Sequence, residues 1–461
     1  MTFSTHPRLL LLLRWLTFGC MAAGILLLAH RGHHEGLGPR REQDLSALEM
    51  RHLALAEATR EDFTPDFTHS ISEPLKQMLP HRTDGVVQPL WGWVVACLDV
   101  GEGRADVLRR AFVFQLGLVL AFWLLLGITC ARSFTLPAAL LVMQISLFHG
   151  FMPTLAEMSS GTLYLVLFLL SWVACVYALQ RNSLWIYGLV GAFTALAYLT
   201  EARVLPLLLV FVFISTVRAL WGWLEAHWRS QPGISQWLRK NHRFGLIVLA
   251  ASFGFIAGPR VVESGELFGQ GFYHHLEAVR WLDEPSEAAA WIERQSEPGS
   301  VKKLPLHERL NAARYLHEHS PAQIRQRLTD GLNTLWQQYA QDGGWPLALL
   351  MLLVLSLAGL VCWATPQASH AGQRLHPETS TTALFILGAS LVIIAIAAWD
   401  VRVLPQQDLH VLFPPLSLSF LWGSESLMRR ARRRGASRLI LGAYQAVLWA
   451  LILSDLVAHS R

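Results

Sequence analysis

The stretch "FMPTLAEMSSGT", residues 151–162, separates two apolar runs, "FTLPAALLVMQISLFHG" (134–150) and "LYLVLFLLSWVACVYAL" (163–179). Each run is about the length that a helix needs to cross the hydrocarbon of a bilayer. A connector between two such helices needs only turn residues, yet this one carries Glu157. The role of that carboxylate depends on which side of a membrane the gap faces and on which other charges face the same way.

Of the 461 residues, 53% are hydrophobic and 15% are charged. Soluble domains carry about 25% charged residues, so this composition excludes an ordinary soluble protein. The sequence predicts an all-α polytopic membrane protein with about eleven transmembrane helices, near 9–29, 111–130, 134–149, 161–179, 184–199, 204–222, 244–261, 345–365, 381–399, 411–427 and 438–457. The first run is long and has no clear small-x-small cleavage site, so it reads as an uncleaved signal anchor. No internal repeat or low-complexity tract is visible. Cys20, Cys130, Cys175 and Cys362 lie in apolar runs and Cys97 in a short apolar stretch, which argues against a disulfide framework.

Charge sets the orientation. With the N-terminus inside, the inner loops hold Arg132, then Arg181, then Arg229, Arg239, Lys240 and Arg243, then Arg374, then "RRARRRGASR" (429–438). The outer turns hold Glu157, then Glu201 with Arg203, then Asp400, Arg402, Asp408 and His410. The basic excess falls on one side, as the positive-inside rule requires. The parity of the spans then places residues 30–110 and 262–344 outside as a mostly helical cap. The chain divides into an N-terminal transmembrane module (1–261, with the outer loop 30–110), a large outer loop (262–344) and C-terminal transmembrane helices (345–461). A bacterial inner membrane fits the absence of eukaryotic sorting signals.

Within the cap, "QDLSALEMRHLALAEAT" (43–59) repeats Leu45, Leu48, Leu53 and Ala56 at helical spacing. "VVQPLWGWVVACL" (86–98) is too short to span and reads as an interfacial helix. "SEAAAWIERQ" (286–295) and "PAQIRQRLTDGLNTLWQQYAQDG" (321–343) read as helices, the second introduced by the start signal Ser320-Pro321. The histidines of "HRGHHE" (30–35) and the pair His274-His275 match no standard zinc spacing, so the sequence implies no certain cofactor and leaves a divalent metal open without a supporting ligand pattern. No Walker loop, dinucleotide fingerprint or supported catalytic serine motif occurs. The basic residues do not interleave with aromatics along a groove, so no nucleic-acid partner is expected.

Several stretches, in order, resemble the GT-C superfamily of polytopic glycosyltransferases, in the branch of protein O-mannosyltransferases and bacterial aminoarabinose transferases. "LEMRHLALAEA" (48–58) looks like the Asp-Glu-x-x-Tyr helix of the first outer loop, "EDFTPDF" (61–67) like the strand-like piece after it, and "GVVQPLWGWVVACL" (85–98) like the Lys-Pro-Pro-Leu-Tyr-Tyr-Trp segment. "GRADVLRRAFVFQLGLVLAFWLLLG" (103–127) looks like the Arg-Leu-Pro entry to the second span, and "PTLAEMSSGTLYLVLFLL" (153–170) like the second outer loop with its acidic residue. "GAFTALAYLTEARVLPLLLV" (191–210) is similar to the Leu-Thr-Lys/Arg-Pro segment, "RYLHEHSPAQIRQRL" (314–328) to the late outer-loop helix, and "HVLFPPLSLSF" (410–420) to the Arg-Tyr-x-x-Pro-x-x-Pro entry to a late span. The sequence departs from that pattern at Leu48, where the family has Asp before Glu, and at Val87-Gln88-Pro89, where it has Lys-Pro-Pro. It departs again at Glu201, where the family has Lys or Arg, and at His410, where it has Arg.

The resemblance implies transfer of a sugar from a polyprenyl-phosphate donor to a protein, lipid or glycan acceptor at the outer face of the membrane, with inversion at the anomeric centre. Such a reaction needs a carboxylate to take the acceptor proton and cations for the growing charge on the leaving phosphate, for which the fork of arginine is best suited. Glu49 is the candidate base, with Asp44 as substitute; five helical residues apart, the two diverge by about 140°. Glu157 would orient the acceptor or assist the base. Arg203, Arg402 and Arg82 are the candidates for the donor phosphate, His410 a further hydrogen-bond donor, and Trp91 and Trp93 candidate sugar-stacking rings. The departures keep two other readings open: a non-catalytic membrane assembly partner, and a flippase for a lipid-linked glycan.

Overall fold

A computed structural model describes residues 7–32, 45, 47–62, 88–99, 103–155, 159–181, 183–229, 233–295, 300–305, 308–341, 377–403, 413–433 and 438–459. Among these residues the chain is helical, with no strand. The helices are α1 (Pro7–Gly32), α2 (Ala47–Asp62), α3 (Pro89–Leu98), α4 (Arg104–Ser133), α5 (Leu136–Leu155), α6 (Gly161–Arg181), α7 (Leu184–Thr200), α8 (Leu205–Arg229) and α9 (Gly233–Phe268). There follow the shorter α10 (His275–Val279), α11 (Pro285–Arg294), α12 (Ser300–Lys303) and α13 (Ala312–Glu318), then α14 (Pro321–Gln341), α15 (Pro377–Asp400), α16 (Phe413–Arg433) and α17 (Arg438–His459).

Six stretches of helix are long and apolar enough to cross a membrane: Arg104–Ser133, Leu136–Leu155, Gly161–Arg181, Ala202–Leu220, Phe244–Phe268 and Leu439–Val457. Four shorter apolar helices accompany them, Trp15–Leu27, Pro89–Leu98, Leu184–Thr200 and Leu384–Asp400. This is the architecture of an integral membrane protein. The eleven sequence-predicted spans are therefore not all of membrane-crossing length by this measure, and the one near 345–365 lies outside the described residues. The pattern of burial points the same way. Helix α5 is 94% buried over its apolar window, whereas α4 is 33% and the last span 22% buried. The outer helices thus turn Phe255, Leu209, Phe213 and Leu439 outward; apolar faces of this extent are costly in water and at home in lipid.

Local sequence explains where the helices begin. Gln88, Thr135 and Glu284 adopt extended backbone and are followed by proline at the first or second helical position, where its missing N–H is no loss. Ser320 and Gln323 form a reciprocal capping box ahead of α14: the Ser320 hydroxyl accepts from the Gln323 N–H (3.4 Å), and the Gln323 carboxamide accepts from the Ser320 N–H (2.8 Å). Helix α5 contains a π-helical turn over Ser146–Phe151, a local underwinding frequently found at functional places.

Helices α7 and α9 lie against each other in parallel. A Cβ added at Gly245 would sit 2.7 Å from the Tyr187 ring, and one at Gly191 would meet Ser252 Oγ and, at 2.5 Å, the Leu249 carbonyl. Tyr198 reaches Phe253 with ring centroids 6.1 Å apart. Small residues let membrane helices approach this closely, because association there relies on packing rather than on escape from water. A second close crossing sets Gly331 of α14 against the Ala398 carbonyl of α15. The first seam brings the ends of α7 and α9 together, and the Arg280–Asp400 pair ties the end of α15 to the segment after α9.

Candidate functional site

The polypeptide around the opening stretch turns inward. Thr154, Leu155, Ser159 and Ser160 are buried. Gln115 donates to the Ser159 carbonyl (2.9 Å), and the hydroxyls of Thr162 and Thr154 are 3.1 Å apart. Ser160 donates to the Glu201 carboxylate (3.2 Å). The described ends of the gap are therefore part of the packed structure, and one of them feeds directly into a group of charges.

Those charges come from the C-terminal ends of α7, α9 and α15, from the start of α8, and from the segment after α9. Beyond the end of α7, Glu201 pairs with Arg203 (3.7 Å). In α9, Arg260 follows Pro259 and is 1% exposed; it pairs with Glu263 one turn on (2.9 Å) and donates to the Gln88 carboxamide (3.4 Å). Arg280 pairs with Glu277 (2.9 Å) and with Asp400 at the end of α15 (3.0 Å). Arg327 of α14 closes one flank. It donates to the Arg280 carbonyl (2.9 Å), pairs with Asp283 (3.2 Å) and lies over the rings of Trp399 (4.3 Å) and Tyr315 (5.1 Å).

Buried His274 feels Arg260, Arg203 and Arg280 together. Burial first, then the neighbouring His275 and these three cations, push its pKa down to about 3, so the ring is neutral. The charges of Glu201, Arg203 and Glu277 also meet at Tyr164, near the start of α6. Asp283 sits at the outer edge. Burial raises its pKa, but hydrogen bonds from Tyr315 and His319 and the charges of His319 and Arg327 outweigh this and hold it below the usual carboxylate value. The guanidinium groups are held in place by the half-buried Glu201, Glu263 and Glu277 and the buried Asp400, an arrangement preorganised for an anion.

Among the sequence-predicted residues, Glu49 is fully buried. It shares the face of α2 that carries Leu53 and Ala56, which pack on Trp91 and Val95 of α3. Helix α3 begins just after Gln88, the acceptor from Arg260, so α2 is joined to the charged group through α3. Glu49 is thus enclosed on the packed face of α2. Arg203 belongs to the group. Arg402 is exposed in the turn after Asp400. Trp91 is a fully buried core residue in the cluster with Leu53, Ala56 and Val107, and as placed it offers no platform for a sugar; Trp93 is half-buried. Glu157, Asp44, Arg82 and His410 lie outside the described residues.

Sequence reasoning passed over Arg260, Arg280 and Glu277, weighed His274 only as a metal ligand, and used Asp400 only for orientation. A signal existed for Arg260, since an arginine three residues before a glutamate, at the end of an apolar helix, is costly unless it is paired. Among the described residues no group of three or more His, Cys, Asp or Glu is placed to hold a metal ion, and Cys20, Cys97, Cys130 and Cys175 are free thiols. No family model and no curated protein matches the sequence.

Proposed function

We propose that this chain is a membrane glycosyltransferase of the GT-C type that moves a sugar from a polyprenyl-phosphate donor to an acceptor, with inversion, on the extracytoplasmic face of a bacterial inner membrane. In this reading the eleven-span topology holds, the N-terminus is cytoplasmic, and residues 30–110 and 262–344 cap the outer face. One observation carries the proposal: Arg203, Arg260 and Arg280 act on a single buried point at the end of the bundle to which α2, with its buried Glu49, is also tied.

The chemistry follows from these groups. The donor phosphate lies against the arginines, Arg203 first because it is the least enclosed of the three. The acceptor oxygen or nitrogen attacks the anomeric carbon from the face opposite the phosphate. As that bond forms, the carbon–oxygen bond to phosphate breaks and its electron pair leaves on the polyprenyl phosphate. The acceptor proton passes to Glu49, and Glu157 orients the acceptor. A general base of this kind contributes about 10²–10⁴-fold. A guanidinium that strengthens its hold as charge grows on phosphate lowers the same barrier.

The Leu48 and Val87 departures favour one competitor, a non-catalytic membrane assembly partner, and the carboxylates already paired with each arginine fit that reading too. The experiment offers purified full-length protein a labelled polyprenyl-phosphate sugar. Transfer or hydrolysis is expected, lost in Glu49→Gln. Binding without turnover would assign the chain as a partner, and passage of intact donor between leaflets would make it a flippase.

A further inference from the structure

The opposite end of the bundle holds a feature that sugar transfer does not use. A groove of about 270 Å³ opens between α4, α6, α15 and α16. Its apolar walls include Leu126, Phe134, Val173, Ile386, Leu418 and Trp422. Thr129 and Tyr177 line it and are exposed, so it is open along its side. That side continues into the outward-facing Leu124, Leu125 and Ile128 of α4. The groove is thus reached from the lipid-facing surface.

Its far end is cationic. Arg429 lines the groove and donates to the Ser133 carbonyl. Arg132 immediately precedes Ser133 and is exposed, and exposed Arg181 follows the lining residue Gln180, with its guanidinium 5.9 Å from the Tyr177 ring. Arg432, one turn beyond Arg429, is exposed as well. The nearest carboxylate on this face of α16, Glu425, is buried and accepts from Thr135 and Tyr444, so it is turned inward from the rim. An apolar slot leading to several exposed guanidinium groups is complementary to one kind of molecule, an amphiphile with a hydrocarbon chain and an anionic head.

We infer that this groove is a binding site for an anionic phospholipid of the bilayer, with one acyl chain against Val173, Ile386 and Trp422 and the phosphate among Arg132, Arg181 and Arg429. The site lies at the other end of α6 and α15 from the charged group around Arg280, so it does not depend on the sugar-transfer reading. Charge alone gives the selectivity, since each arginine near a headgroup favours an anionic lipid, and the chain supplies the rest through apolar burial.

The test titrates full-length protein in neutral detergent with dioleoyl phosphatidylglycerol or dioleoyl phosphatidylcholine and counts bound lipids by native mass spectrometry. Phosphatidylglycerol is expected to bind about tenfold more tightly. In Arg132→Gln/Arg181→Gln/Arg429→Gln, whose substituted side chains are exposed, the ratio is expected to fall to within about twofold. Val173→Phe, which fills the groove, is expected to weaken both lipids. Equal binding of the two lipids to the wild type, or an unchanged ratio in the triple variant, would overturn the inference. So would displacement of the lipid by inorganic phosphate alone, which would mark a plain anion site. Tighter binding of a polyprenyl phosphate that falls in the same triple variant would reassign the groove to the carrier lipid and overturn it too.

Discussion

His274 registers the cost of gathering three guanidinium groups in a buried place. Its ring titrates near 6.5 in the unfolded chain and at about 3 in the fold. The unfolded state therefore takes up the proton first as acid is added. The stability tied to the neutral ring is complete above about pH 6.5 and is lost as the pH falls towards 3. A thermal-unfolding series in detergent between these limits is expected to show a steeper fall for the wild type than for His274→Gln, by an amount on the order of a few kcal/mol. Arg260 belongs to the same scale. Removing its charge leaves the half-buried Glu263 carboxylate without its guanidinium, so Arg260→Met is expected to cost about 1–3 kcal/mol. Arg260→Met/Glu263→Leu is expected to recover most of that loss, which a double-mutant cycle of unfolding free energies checks. None of this was legible from spacing, because Arg203, Arg260, His274, Arg280 and Asp400 are scattered over some two hundred residues and meet only once the helices are packed. The sequence did show charges beside spans at Glu157, Glu201 and Arg203, and Arg260 at the end of its helix carries the same cost.

Among the elements, the apolar periods and the proline-led starts were the readable part. The helix at Pro321 begins where its start signal places it, and those read over 86–98 and 286–295 begin at Pro89 and Pro285, since proline sets the first-turn backbone whatever packs later. The amphipathic face of α2 was read from Leu45, Leu48, Leu53 and Ala56, but the burial of Glu49 was not, because hydrophobicity alone assigns a carboxylate to the wet side. The seams between helices were unreadable for a similar reason: a glycine in a span has the same composition whether it faces lipid or a neighbour. The α7–α9 seam offers a direct check. Gly191→Leu inserts a branched side chain against the Leu249 carbonyl and Ser252. It is expected to cost at least about 1–3 kcal/mol, seen as a lower unfolding temperature, whereas Gly254→Leu, with open space around it, is expected to change little. The capping box gives a milder case, Ser320→Ala, expected to lower stability by about 1 kcal/mol.

For the whole molecule, the alternation of basic and acidic turns gave an orientation, and the helices order the same residues at two ends. Ser160, Glu201, Arg260 and Asp400 gather at one end, while Arg132, Arg181 and Arg429 mark the other. Whether these ends face opposite sides of a bilayer is open to a labelling experiment. With the exposed Cys20 and Cys97 replaced by serine, a membrane-impermeant maleimide applied to intact cells is expected to modify Lys303→Cys and to spare Arg132→Cys until the membrane is permeabilised. The reverse pattern would turn the molecule over and place the charged group in the cytoplasm.

The sharpest test separates donor binding from transfer in purified protein. With labelled polyprenyl-phosphate sugar, Arg203→Gln is expected to weaken donor binding about tenfold or more. Glu49→Gln is expected to bind the donor as the wild type does and to transfer sugar at least about 100-fold more slowly. Transfer by Glu49→Gln at the wild-type rate, or no donor bound by the wild type at all, would contradict the account.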